Sequence, residues 1–144
     1  MPAPEAALEF AIRRGSDVTR ASMTVATCSR CLNAFAPDER TLLGTVVSEL
    51  ASNILKYAGD GVVRVEPLLQ DGRSGVCIRA IDQGPGIANV EACMRDGFST
   101  GGTLGLGLPA VRRIMDSVRI HCPEGGGTQV EAFRWARGER GRIA

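Results

Sequence analysis

Apolar residues recur at alternating spacings of three and four through Val18, Ala21, Val25, Cys28, Leu32 and Phe35. That is the period of one helix face. Ser16 or Asp17 can cap this helix, and Pro37-Asp38 ends it and starts another. The second helix reaches about Tyr57, with Leu42, Val46, Leu50 and Ile54 as its apolar stripe and Glu49, Asn53 and Lys56 on the opposite flank. A looser alternation over Leu8 to Arg14 predicts a first, edge strand. Ala58-Gly59-Asp60-Gly61 reads as a turn. Val62 to Leu69 and Val76 to Asp82 read as strands joined by the hairpin loop Asp71-Gly72-Arg73-Ser74-Gly75.

Beyond Asp82 the pattern becomes glycine-rich. A short helix is expected around Asn89 to Arg95. From Asp96 to Gly105 there is little periodicity, and glycines stand at 97, 101, 102 and 105. Such a stretch predicts a loop that acts as a mobile lid. Pro109 suits the first turn of a helix continuing through Val111, Ile114 and Met115. Val118 to Cys122 and Gln129 to Trp135 predict two last strands around the Gly125-Gly126-Gly127 turn. One domain is expected over residues 1–136, with a charged, disordered tail over 137–144.

Length and composition narrow the class. A chain of 144 residues with 44% apolar content fits one globular domain, and a domain of that size buries about 70% of its unfolded surface. A net charge of +1 gives no global field toward nucleic acid or a membrane surface. No apolar run approaches the ~20 residues of a membrane span, and the N-terminus does not read as a signal peptide. Five scattered cysteines fit reduced thiols and a cytoplasmic protein.

Three segments carry candidate chemistry. Glu49 and Asn53 are four apart, on one helix face. An amide oxygen is a hard ligand acceptable to Mg2+, which keeps waters and phosphate oxygens as its other ligands; two polar residues on a solvated face would look the same. Asp82 ends a strand and enters Gly84-Pro85-Gly86-Ile87. An ionised carboxylate only accepts hydrogen bonds. It therefore suits the exocyclic amine of adenine and rejects the oxygen of guanine, although Asp-Gly turns are common. Gly84 and Gly86 allow close backbone approach and positive φ. Gly105-Leu106-Gly107-Leu108 precedes a helix, and bare amides at a helix start favour phosphate oxygens. No Gly-Lys-Ser/Thr follows, so this is not a Walker loop. It does not follow a strand, so it is not a Rossmann turn.

Taken in order, Ser48-Glu49…Asn53…Tyr57, Asp82-Gln83-Gly84-Pro85-Gly86-Ile87 and the Gly105–Leu108 loop resemble the ATP-binding boxes of the GHKL (Bergerat-fold) ATPase/kinase superfamily. Asp96-Gly97-Phe98-Ser99-Thr100 together with Gly107-Leu108-Pro109-Ala110-Val111-Arg112-Arg113 resembles more narrowly the anti-sigma-factor and switch serine kinases. The resemblance implies an α/β (α+β) sandwich, with a mixed, mostly antiparallel sheet, helices on one face and ATP between helices and lid. It implies ATP and Mg2+, with Asn53 on the metal and Glu49 as base toward a hydroxyl. Asp82, Gly84, Gly86 and Ile87 would line the adenine site, supported by Thr128. Gly105, Leu106, Gly107 and Leu108 would hold phosphates, and Lys56 would face them. The implied activity is a serine-protein kinase of partner switching. Its partners would be STAS-domain (anti-sigma-antagonist-like) proteins and a PP2C-type phosphatase. The alternatives are an anti-sigma factor that sequesters a sigma subunit and phosphorylates its antagonist, and an ATP-binding docking module weak in catalysis.

Other residues read more plainly. Cys28-x-x-Cys31 has no second Cys/His pair at ligand spacing and reads as buried thiol. His121, the single histidine, reads as structural. Arg112 and Arg113 cover a helix surface or reach a phosphate. Ser99 and Thr100 are candidate phosphate contacts in the lid.

Overall fold

The computed structural model describes residues 7–84, 99–100, 103–104 and 107–137. The chain runs β1 (Leu8–Ile12), α1 (Gly15–Thr27), α2 (Pro37–Tyr57), β2 (Gly61–Gln70) and β3 (Arg73–Asp82). It continues through β4 (Ser99–Thr100), β5 (Thr103–Leu104), α3 (Leu108–Ile114), β6 (Ser117–His121) and β7 (Thr128–Trp135). The main sheet has the order β1-β2-β3-β7-β6. Every neighbouring pair in it is antiparallel, so the mixed character expected above is absent from this sheet.

Side chains alternate across a strand, and the register divides the sheet into two unlike faces. Val63, Val65, Val76, Ile78, Ala80, Val130 and Ala132 fall on one face and are buried in a single core with both long helices. The other face carries an ion ladder. Arg64 donates to Glu9 at 2.8 Å and to Glu66 at 3.4 Å. Arg79 bonds the same Glu66 oxygen and donates to Glu131 at 2.7 Å. Cys77 lies under this ladder, fully buried, and burial pushes its thiol pKa up to about 11.

Two helix details differ from the periodicity. The first helix stops at Thr27 rather than reaching Phe35. The hydroxyls of Thr24 and Thr27 donate back to the carbonyls of Arg20 and Met23, both at 2.7 Å. The same back-bonding occurs inside α2, from Thr41 at 3.1 Å and Thr45 at 3.3 Å, so it does not by itself end a helix. Cys28 then leaves helical geometry. Leu32 and Phe35 are nonetheless buried, held by a turn in which Phe35 N–H donates to the Leu32 carbonyl at 3.0 Å. At the other end Arg14 is the N-cap. Asp17 acts from the third helical position, accepting the N–H groups of Arg13 (2.9 Å) and Arg14 (3.1 Å).

In α2 the buried positions are Leu43, Gly44, Val46, Val47, Leu50, Ala51 and Ile54, while Leu42 is exposed. The stripe is wider than the expected one because α2 packs on both α1 and the sheet. Gly44 sits at the crossing with α1. A Cβ there would come 2.9 Å from the Ser22 carbonyl oxygen and 3.0 Å from Ala26 Cβ, and Ser22 Oγ donates to the Gly44 carbonyl at 2.8 Å.

The hairpin between β2 and β3 is tighter than the expected five-residue loop. Gln70 pairs with Arg73, leaving Asp71 (φ 53°) and Gly72 (φ 73°) as the two turn residues. Both take the positive φ that matches the strand twist in a type I′ turn. Within the stretch expected as a loop, β4 and β5 form a two-residue ladder, Ser99 with Leu104 and Thr100 with Thr103. The helix expected over 89–95 lies outside the described residues, as do 138–144. Arg137, at the expected start of the tail, pairs with Asp116 at 2.7 Å.

Candidate functional site

The second half of α2 forms one wall. Glu49 and Asn53 are half-buried and Lys56 is exposed. Four residues of helix place Asn53 about 6 Å along the axis from Glu49. Lys56 stands over the ring of Tyr57, 5.6 Å from its centroid.

Glu49 points at the start of α3. Gly107 is the N-cap of that helix, in the left-handed region at φ 70°. A Cβ on Gly107 would collide with Glu49 Oε2 and lie 3.0 Å from Cδ. Glycine is thus required there twice, by its φ and by the carboxylate beside it. The Gly107 carbonyl accepts Val111 N–H at 3.2 Å and opens the helix. Leu108 is fully buried in the core together with Val111. Its side chain anchors the loop, and only its backbone remains to meet a ligand.

The other wall is the end of the sheet. Asp82, the last residue of β3, pairs with Gly61 on one side and Thr128 on the other. Its Oδ1 accepts Gly84 N–H at 2.9 Å, closing a turn at the strand end. Gly84 is wedged against the end of α2. A Cβ on it would lie 2.8 Å from Ala58 Cβ and 3.1 Å from the Tyr57 carbonyl oxygen. The Gly84 carbonyl accepts Gly127 N–H at 2.7 Å. Gly127 has φ 92°, and a Cβ there would sit 2.5 Å from the Asp82 carbonyl oxygen. Thr128 is the buried polar residue among the described ones.

Two clusters therefore share α2. Glu49 meets Gly107, and two turns further along the helix ends against the Asp82–Gly84–Gly127–Thr128 turn. Asn53 and Lys56 lie on the stretch of α2 between them. Gly86, Ile87, Gly105 and Leu106 lie outside the described residues. Gly127 joins this turn although the sequence does not single it out, since its triple-glycine run signals only a turn. Its place directly before Thr128 was the available hint.

The remaining candidates are placed as follows. Cys28 and Cys31 are half-buried against the core, and Cys31 N–H points at Cys28 Sγ, 3.4 Å away. His121 is exposed on β6, opposite Gln129. Arg112 and Arg113 are exposed on α3. No described helix is long and apolar enough to cross a membrane.

The arrangement has the parts for holding a nucleotide. The turn glycines bring bare backbone close beside an acceptor-only carboxylate, and a second carboxylate stands at a glycine loop. Comparison with known proteins agrees. The family model described as Histidine kinase-, DNA gyrase B-, and HSP90-like ATPase matches residues 38–137. Serine/threonine-protein kinase RsbT of Bacillus subtilis (strain 168) is 44% identical over 103 residues, 72% of this chain and 77% of that protein. An anti-sigma F factor of Geobacillus sp. (strain WCH70) is 34% identical over 100 residues, 65% of this chain and 67% of its own length. Among solved structures, the catalytic domain of histidine kinase ThkA superimposes with a TM-score of 0.55 at 19% identity, covering 94% of this chain and 99% of that one. The mycobacterial sensor histidine kinase MprB gives 0.55 at 18%, covering 92% and 97%. At those identities the likeness concerns the fold.

Proposed function

Because this chain belongs to the histidine kinase-, DNA gyrase B- and HSP90-like ATPase family, we propose that it is an ATP-dependent serine/threonine-protein kinase of a partner-switching pathway, acting in the cytoplasm on a STAS-domain antagonist or scaffold protein. The observation that carries this reading is the Glu49 carboxylate held against Gly107 at the glycine loop. A base at a phosphate-holding loop is what transfer to a hydroxyl requires, and the relative at 44% identity is named a serine/threonine-protein kinase.

In this reading Asp82 accepts the adenine amine, and Thr128, beside it in the sheet, supports that pocket. Gly84 and Gly86 let the backbone approach the base, and Ile87 lines the same pocket. The backbone of Gly105, Leu106, Gly107 and Leu108 holds the phosphates, with Lys56 facing them. Gly84, Gly107 and Gly127 have no room for a Cβ because Ala58, Glu49 and Asp82 stand against them, which fits walls of the groove held close together. Mg2+ would shield phosphate charge, with the Asn53 amide oxygen as a protein ligand. Glu49 then accepts the proton of the incoming serine hydroxyl, a contribution worth roughly 10²–10⁴-fold in rate.

The test is transfer of labelled γ-phosphate from Mg-ATP to the STAS-domain protein encoded nearest this one, with Glu49→Ala beside the wild type. Transfer by wild type alone supports a kinase with Glu49 as base, and equal transfer by both removes Glu49 from that role. A second reading, an anti-sigma factor, draws on the relatives of that name at 31–34% identity. Stoichiometric co-purification of a sigma subunit would favour it over the first.

A further inference from the structure

The helix that carries the glycine loop is also held at its far end. Arg134 lies on β7 and is largely buried, with 11% of its side chain exposed. One guanidinium nitrogen, Nη1, donates to the carbonyl of Ile114, the last residue of α3, at 2.5 Å. The other, Nη2, donates to Glu39 Oε2 at 3.2 Å. Glu39 stands in the first turn of α2, and its Oε1 accepts Ala36 N–H at 3.2 Å. Its side chain is 13% exposed. Arg134 Nε finds no hydrogen-bond partner among the described residues; the Asp116 carboxylate adds an electrostatic attraction, but the directional contacts are these two.

The helices α2 and α3 are thus joined twice, in antiparallel sense. Glu39 meets the end of α3 through Arg134. Ten residues later, about 15 Å along α2, Glu49 meets Gly107 at the start of α3. Between the two joints the contact is apolar, through Leu108, Val111 and Met115. Apolar packing resists separation but is non-directional, whereas a forked guanidinium between two acceptors fixes an angle and a register.

We propose that Arg134 is a positioning residue for this site: by tying the last carbonyl of α3 to Glu39 of α2, it sets where Gly107 stands relative to Glu49. The inference rests on the reading that these two residues work on one nucleotide. No contact of Arg134 with that nucleotide is implied.

The test uses the full chain with Arg134→Met, Arg134→Lys and Glu39→Gln, all well below their melting temperatures. Glu39→Gln keeps an oxygen for Ala36 N–H and removes the charge facing Arg134. Amide hydrogen exchange of Val111 and Met115 should accelerate about tenfold or more in Arg134→Met, while β2 and β3 amides stay as in wild type. Mg-ATP affinity, by calorimetry, should fall about tenfold in the same variant, since small misplacements in such sites cost that much or more. Lysine should recover part of both, and Glu39→Gln should shift both in the same direction as Arg134→Met. A lowered melting temperature with unchanged α3 exchange, or faster α3 exchange with unchanged Mg-ATP affinity, overturns the proposal. Failure of the wild type itself to bind Mg-ATP would overturn the functional reading instead, while the exchange arm still reports whether Arg134 holds α3.

Discussion

Gly107 and Asp82 separate structural need from chemical need. Gly107→Ala imposes a left-handed φ on a side chain, at a cost of about 1 kcal/mol. It also drives a methyl into the Glu49 carboxylate. The expected outcome is a folded protein whose phosphotransfer falls at least ~10-fold, checked by circular dichroism beside a labelled-phosphate assay. Asp82→Asn preserves the oxygen that receives Gly84 N–H. It replaces the other acceptor with a donor, which opposes an adenine amine. Calorimetry should show Mg-ATP affinity reduced by about 1–3 kcal/mol, the cost of leaving a buried polar group unmatched, with little change in melting temperature. Unaltered affinity would remove Asp82 from the base-reading role. These two residues were legible in the sequence because each belongs to a short motif with its own physical reason. Gly127 was not, because its need for bare backbone comes from Asp82, 45 positions away.

At the scale of elements, periodicity located both long helices and the five strands of the sheet, since each buries one face. It failed where tertiary packing overrode the pattern. Cys28, Leu32 and Phe35 continue the three-four spacing, yet α1 ends at Thr27, and Leu32 and Phe35 reach the core from a turn instead. Leu42 fits the stripe and is exposed, because the true buried arc of α2 is set by two neighbours rather than one. The α1–α2 crossing makes this measurable. Gly44→Ala adds a methyl within 3.0 Å of Ala26 Cβ and 2.9 Å of a backbone oxygen. Overpacking of this kind costs about 1–3 kcal/mol, more than alanine's gain in helix propensity of about 1 kcal/mol. Denaturant unfolding should place the variant below wild type, and a stabilised variant would show that the crossing yields freely.

For the molecule as a whole, the unlike faces of the sheet assign different kinds of stability. The helix-covered face supplies the apolar core. The ion ladder on the other face is partly exposed, and such pairs contribute little each. Salt should therefore move the melting temperature only slightly. Acid should matter more at the seam between α3, β6 and β7. Burial of Asp116 raises its pKa, but hydrogen bonds from Trp135 N–H and Arg137 outweigh that and hold the carboxyl below its ordinary value of 3.8. The folded state then binds fewer protons than the unfolded one across that window, so stability increases with pH there. The stabilisation is present above pH ~4 and is lost as pH falls through the lowered value. Asp116→Asn should flatten the acid limb of a melting-temperature profile, and an unchanged limb would exclude Asp116 from it. The elements of this seam are legible in the sequence, but the Asp116–Arg137 pair is not, since charge and glycines group Arg137 with the tail.

Of 17 basic residues, sixteen are arginine and Lys56 alone is lysine. It lies exposed on the groove helix, one turn past Asn53. The protein thus offers amine-directed reagents a single side-chain address. An acylating dye applied above pH 8 should modify the peptide containing Lys56 and, apart from the α-amino group, no other. Fluorescence from that one position would then report on the groove without any cysteine being introduced or removed.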